Sequence, residues 1–331
     1  MAYTTIDNPE LYFQCKTYAG NGGTQSITFD GSEDMQANLA ILKSRTDGES
    51  HNVVDSVRGV TKYVYTNTTG SEGTTSIQLT SFDSDGFSLG SGTNTNKSGE
   101  NYVAWCWKES ATAGFDIVAY TGTGSAHTIS HSLSAVPSVV ILKGRSFSDG
   151  WGQYHKTSGN PAILAFDGNV ADRYSSKWSP FFNSTAPTSS VFSVGTDSAI
   201  NTSSGTHIAY LFAEKQGFSK FSSFVGNNSN DGSYIYLGFR PSLVILKGTA
   251  SNREWVIHDN KRDPANVVDG TLYPNTGDAE GTGTARMDFL SNGFKLREDG
   301  NNWNASGETY VYMAFAEQPF VNSNGVPANA R

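Results

Sequence analysis

Three stretches of the chain alternate large and small apolar residues with a period of two. Every second position puts Val103, Trp105 and Trp107 on one face of the first stretch, Ile208, Tyr210 and Phe212 on one face of the second, and Val311, Met313 and Phe315 on one face of the third. The opposite faces are smaller: Ala104 and Cys106, Ala209 and Leu211, Tyr312 and Ala314. A period of two predicts a strand, and apolar residues on both faces predict one packed inside a sandwich. Three other runs are continuously apolar before a lysine: Leu39-Ala40-Ile41-Leu42-Lys43, Val139-Val140-Ile141-Leu142-Lys143 and Leu243-Val244-Ile245-Leu246-Lys247. Such a run predicts a central strand covered on both faces. Pro137 and Pro241 stand just ahead of it, where a missing N–H leaves the ladder intact.

These runs recur in one order. The Leu–Lys pair returns after 142 − 42 = 100 residues and again after 246 − 142 = 104. Upstream lie Tyr18-Ala19-Gly20, Tyr120-Thr121-Gly122 and Phe224-Val225-Gly226. Each copy closes with a Ser-Gly turn and its alternating strand, SGENYVAWCWKE from Ser98, SGTHIAYLFAEK from Ser204 and SGETYVYMAFAEQ from Ser306, in steps of 106 and 102. Two landmarks with nearly one period predict three tandem copies of a unit of about a hundred residues. Turn-rich stretches such as Thr66-Asn67-Thr68-Thr69-Gly70 and Gly90-Ser91-Gly92 leave little room for helix. The expectation is an all-β chain of three serial β-sandwich repeats, residues 13–110, 114–216 and 217–320, jelly-roll or lectin-like first and immunoglobulin-like second. A polar docking arm (1–12) and a polar tail (321–331) flank them.

Composition agrees with many short strands. Of 331 residues 37% are hydrophobic and only 16% charged, with 35 Gly, 15 Tyr and 19 Phe, a mixture that suits neither long surface helices nor disorder. The formal net charge is −8 and no basic run occurs, so nucleic acid is not an expected partner. No apolar run approaches a membrane span and the N-terminus does not read as a signal peptide, so neither membrane insertion nor secretion through a leader is expected. Two cysteines, Cys15 and Cys106, support neither a disulfide framework nor a four-cysteine metal site. Buried thiols are the expectation, with a bridge between them the alternative.

The segments DNPELYFQCKTYAGNGGTQSITFDG, VDSVRGVTKY, LTSFDSDGFSLGSG and SGENYVAWCWK resemble virion and tail-fibre-like structural proteins of marine bacteriophages of the cyanophage and pelagiphage type. The second copy departs from the pattern, with GNVADRYSSKWSPFF in place of VRGVTKY. The resemblance implies a structural protein of the virion, assembled in the host cytoplasm, and brings no catalytic or ligand residues with it. A tail-fibre-like role in host-surface adhesion comes first, with other virion proteins and a host glycan as partners. Capsid decoration or a tail adaptor is the alternative, and a homo-oligomer, guessed as a trimer, is expected by analogy with phage fibres.

Candidate chemistry is sparse, and no cofactor is expected. Asp83 with Asp85 and Asp167 with Asp172 are the carboxylate pairs a glycan-cleaving enzyme would need, but Asp83-Ser84-Asp85-Gly86 is a natural turn sequence and lacks the closing Glu of a calcium loop. His127 and His131 lack a third zinc ligand nearby. Neither catalysis nor a metal is therefore expected. The candidate contact residues are Trp151, Tyr154 and His155 in the second copy and Trp255 and His258 in the third, with core filling as the competing reading. Trp303, among Asn301, Asn302 and Asn304, is the leading candidate for an exposed contact.

Overall fold

The computed structural model describes residues 3–157, 164–168, 181–250 and 252–327. Strand accounts for 42% and helix for 4%, which makes the chain all-β, built of several antiparallel sheets with no barrel. Strands β1 (Phe13–Ala19), β2 (Gln25–Ile27), β3 (Leu39–Ser44), β4 (Asn52–Asp55), β5 (Lys62–Tyr65), β6 (Gly73–Thr74), β7 (Leu79–Asp83), β8 (Gly86–Leu89) and β9 (Asn101–Trp107) form unit one. Unit two has β10 (Phe115–Thr121), β11 (His127–Ser130), β12 (Val139–Gly144), β13 (Gly152–His155), β14 (Val191–Val194) and β15 (Thr206–Phe212). Unit three has β16 (Ser219–Val225), β17 (Tyr234–Tyr236), β18 (Phe239–Gly248), β19 (Trp255–Asp259), β20 (Met287–Leu290), β21 (Gly293–Leu296) and β22 (Thr309–Pro319).

The main sheets run β1-β9-β3-β4, extended by β5 and β6, then β10-β15-β12-β13 and β16-β22-β18-β19. In each, the closing strand lies between the opening strand and the continuously apolar one. The smaller sheets are β2-β8-β7, β11-β14 and β17-β21-β20.

Strand alternation sorts the side chains into two kinds of core. Small-face residues such as Ala104, Ala209 and Ala314 pack, with Leu42, Leu142 and Leu246, between each main sheet and its own smaller sheet. The large faces of all three main sheets instead meet in one central core. There Trp107, Phe212 and Phe315, one from each closing strand, form an edge-to-face triangle with ring centroids 5.5 to 6.2 Å apart. Each such pair adds about 0.5–1.5 kcal/mol beyond the area it buries. The units are serial in sequence but share their largest core.

The N-terminal segment does not hang free as a docking arm. Thr4 Oγ1 donates to the Gln216 carbonyl at 2.8 Å, Tyr3 Oη to the Gly238 carbonyl at 3.0 Å, and Ile6 is 2% exposed in the central core. Asn8 caps a short 3-10 turn, Pro9–Leu11, that leads into β1. From the other end, the Ser323 amide donates to Asp7 at 2.6 Å. An apolar residue at position 6 is what turns the segment inward, onto unit three, where it closes the ring of units. Residues 1–2 of the expected arm and 328–331 of the expected tail lie outside the described residues.

Cys15 and Cys106 are both buried and free. They sit on opposite faces of the β1–β9 ladder, Cys15 toward the central core and Cys106 toward the unit's own sandwich core, so the alternative of a bridge does not hold.

Candidate functional site

The boundaries between units are built from positions that correspond in the three units. Asp55, His155 and Asp259 each end the fourth main-sheet strand, opposite Leu39, Val139 and Leu243. Trp105, Tyr210 and Met313 correspond in the closing strands, opposite Ile41, Ile141 and Ile245. Tyr210 Oη of unit two donates to Asp55 of unit one at 2.8 Å, and Trp105 Nε1 of unit one donates to Asp259 of unit three at 3.0 Å. In the remaining pairing of positions, unit three has Met313 in place of a donor and unit two has His155 in place of the carboxylate. The polar pair is lost together, as it must be where a lone buried charge is costly.

Each carboxylate also holds an arginine three residues on. Asp55 pairs with Arg58, and Asp259 with Arg262 at 2.6 Å, all four side chains fully buried. A glutamate completes each cluster from two units. Glu72 lies 3.5 Å from Arg58 and 2.8 Å from Arg145 of unit two; Glu280 lies 2.7 Å from both Arg262 and Arg45 of unit one. The Glu72 amide donates to the Arg145 carbonyl and the Glu280 amide to the Arg45 carbonyl, both at 2.8 Å. The D-x-x-R spacing at Asp55–Arg58 and Asp259–Arg262 is the sequence signal for these clusters, and it lies outside the six candidate contact residues.

The same cyclic logic uses up the candidate tryptophans. Trp151 Nε1 of unit two donates to the Tyr65 carbonyl of unit one at 3.0 Å, and Trp255 Nε1 of unit three to the Ala165 carbonyl of unit two at 2.8 Å. His51 takes the corresponding place in unit one, beside the Thr276 backbone. All six candidate contact residues are buried: Trp151 and Trp255 in the central core, Tyr154 and Trp303 in sandwich cores, His155 and His258 with no exposed surface. Trp303 is 5% exposed, donates to His258 Nε2 at 3.0 Å and lies under the Arg286 guanidinium, 4.0 Å from its ring centroid. Its asparagine-rich surroundings are a folded turn, Asn304 bonding to Asn227 and Ser229 at 2.8 and 2.9 Å, so the exposed-loop expectation fails.

The carboxylates of the Asp83 turn are likewise occupied. Asp83 accepts from the Ser81 and Ser88 hydroxyls at 2.6 and 2.7 Å, and Asp85 from the Met35 amide at 3.3 Å. Gly86, at φ +110°, has its α-carbon so close to the Ile27 carbonyl that any β-carbon would sit 1.9 Å from that oxygen. These are the marks of a tight hairpin. Asp172 lies outside the described residues, and among those described no three His, Cys, Asp or Glu side chains converge. His127 and His131 bond to the Ser125 and Thr188 carbonyls. No helix among the described residues is long and apolar enough to cross a membrane.

The aromatic residues left at the surface are different ones. Tyr234 and Tyr236 of β17 are 44% and 48% exposed, with Ile235 between them turned into the core. Ladder register matches them to Thr128 and Ser130 in unit two, and matches Tyr234 to Ser26 in unit one, where Thr28 follows the last paired residue, Ile27. The Tyr234 hydroxyl bonds to Asn292, and the Tyr236 hydroxyl lies 3.3 Å from that of Tyr3. Lys220 Nζ donates to the Tyr236 carbonyl at 2.9 Å and stands 5.3 Å from its ring centroid.

A family model described as a domain of unknown function, DUF7483, matches residues 8–319. The chain belongs to that family. The match runs from Asn8 in the N-terminal segment to Pro319 at the end of β22. No curated protein matches the chain.

Proposed function

We propose that this DUF7483 chain is a non-enzymatic structural protein of a bacteriophage virion, with a tail-fibre-like role in holding the host surface. What supports the reading is the way its chemistry is distributed. Aromatic and charged side chains are used at the boundaries between units, and the three smaller sheets are turned away from the common core. A body of this kind presents surfaces rather than enclosing a substrate. The phage resemblance of the DNPELYFQ, VDSVRGVTKY and SGENYVAWCWK segments supplies the context. Three units in one chain also give the body three corresponding faces to set against other virion proteins, in its own particle, without a membrane or nucleic acid as partner.

The test is a cryo-EM reconstruction of the phage with this chain located in the density. A few copies at the tail, with unit three outermost, are the expected result. Hundreds of copies on the icosahedral lattice would overturn adhesion and make it a decoration protein. Absence from the particle would overturn the virion reading altogether.

A further inference from the structure

We propose that the outer face of the β17-β21-β20 sheet binds a neutral saccharide, with neighbouring pyranose rings stacking on Tyr234 and Tyr236. Three observations carry it. The pair is specific to unit three: the ladder-matched positions are Ser26 in unit one and Thr128 and Ser130 in unit two, so the ladder does not require tyrosine there. Both residues keep nearly half their surface in solvent, while the intervening Ile235 satisfies the core. Both are also held in place, Tyr234 by Asn292 and Tyr236 by Tyr3 and Lys220.

Geometry and charge select the class of ligand. Residues two apart on a strand are about 6.8 Å apart on one face, a spacing that lets each ring take one sugar of a linked pair. A pyranose ring has an apolar C–H face for an aromatic and a hydroxyl rim for polar neighbours, and the tyrosines combine the same two features. Around them stand Lys220, Asn292, and Lys295 paired with Asp231 at 2.5 Å, so the surround mixes both signs of charge. Lys295 and Arg297 are matched by Asp231 and Asp288, which leaves Lys220 as a single surplus cation. That is too little charge to select a polyanion and the wrong sign for a basic peptide, and so favours an uncharged oligosaccharide. Glycine makes the platform flat: at Gly293 a β-carbon would come 3.0 Å from the Tyr234 ring, and at Gly238 it would come 2.4 Å from the Tyr3 hydroxyl.

The inference deepens the adhesion reading and rests on it for the source of the sugar, but the two fail separately. The full chain is titrated by calorimetry with neutral glucose, galactose, mannose and N-acetylglucosamine oligomers of increasing length. At least one should bind, and more tightly as a dimer or longer than as a monosaccharide. Tyr234→Ala and Tyr236→Ala should each weaken it by about tenfold with the melting temperature unchanged, while Tyr236→Phe, which keeps the ring, should bind nearly as wild type. No binding by any oligomer, or alanine variants that bind like wild type, would overturn the platform even if the chain sits at the tail. Saccharide binding by a chain found on the capsid lattice would overturn adhesion and leave the platform standing.

Discussion

The indole nitrogen of Trp105 reaches across a unit boundary to donate to Asp259 at 3.0 Å. Asp259 also neutralises Arg262, whose side chain has no exposed surface, so one carboxylate serves two units. Asp259→Ala leaves the buried Arg262 with Glu280 as its remaining carboxylate and takes the acceptor from the Trp105 indole, and is expected to cost about 3–5 kcal/mol. Trp105→Phe removes the charge-accepting hydrogen bond together with part of a buried ring, and is expected to cost about 2–4 kcal/mol. Urea denaturation of the two variants and their double mutant checks this. A double-mutant loss equal to the sum of the singles would show that the two residues are not coupled.

A shared core also fixes how the chain unfolds. Because Trp107, Phe212 and Phe315 touch one another, no unit can lose its closing strand without opening the other two. One calorimetric transition is expected, with calorimetric and van't Hoff enthalpies equal. Three resolved transitions would mean three independent sandwiches. Ile6→Ala, in the segment that closes the ring, should lower that single midpoint, with a loss of about 2–4 kcal/mol.

Strand identity was legible because a period of two in the closing strands and unbroken apolar runs before a lysine both survive tertiary context: the Leu39, Val139 and Leu243 runs are central strands of their sheets. The destination of the large face was not legible. Trp105 and Trp107 had to point somewhere apolar, and nothing local distinguishes a unit's own sandwich from a core shared with two other units. Exposure was misjudged for the same reason. Trp303 sits among three asparagines, but Asn302 accepts from the Glu254 amide and Asn304 bonds to Asn227 and Ser229, which ties the turn to neighbouring segments, while the surface aromatics Tyr234 and Tyr236 look like any strand alternation. Trp303→Ala accordingly tests burial against contact: a loss of about 3–5 kcal/mol in denaturant is expected of the core residue, and none of an exposed one.

His258 ties stability to acid. Its Nδ1 bonds to the Gly270 carbonyl at 3.0 Å and its Nε2 accepts from Trp303 at 3.0 Å, so the neutral ring is fully engaged and a second proton has no acceptor. Burial, with Arg262 and then Arg286 nearby, pushes it down to about 3. A folded value below the unfolded one, about 6.5, means that the contribution is whole above that pH and is lost as pH falls toward 3. The His258 imidazole should therefore stay neutral by NMR at pH 5, with the Trp303 indole proton still protected. A titration midpoint near 6.5 would sink this account.

Glu109 carries the opposite sign. It follows β9, accepts from the Ile117 amide at 3.2 Å and sits beside Asp116, so the link between units one and two places two carboxyl groups together. Burial first, then the hydrogen bond and charge of Asp116, push Glu109 up to about 7. An acid whose folded value is raised binds its proton more tightly when folded, so stability is highest at and below its unfolded value and declines as pH climbs through 7. Because the group is partly exposed, screening reduces the effect to the order of 1 kcal/mol. Glu109→Gln keeps an acceptor for Ile117 and a permanent donor for Asp116. It should raise the melting temperature at pH 8 and leave it unchanged near pH 4. A variant less stable than wild type at pH 8 would show that the charged glutamate, not a shared proton, holds that link.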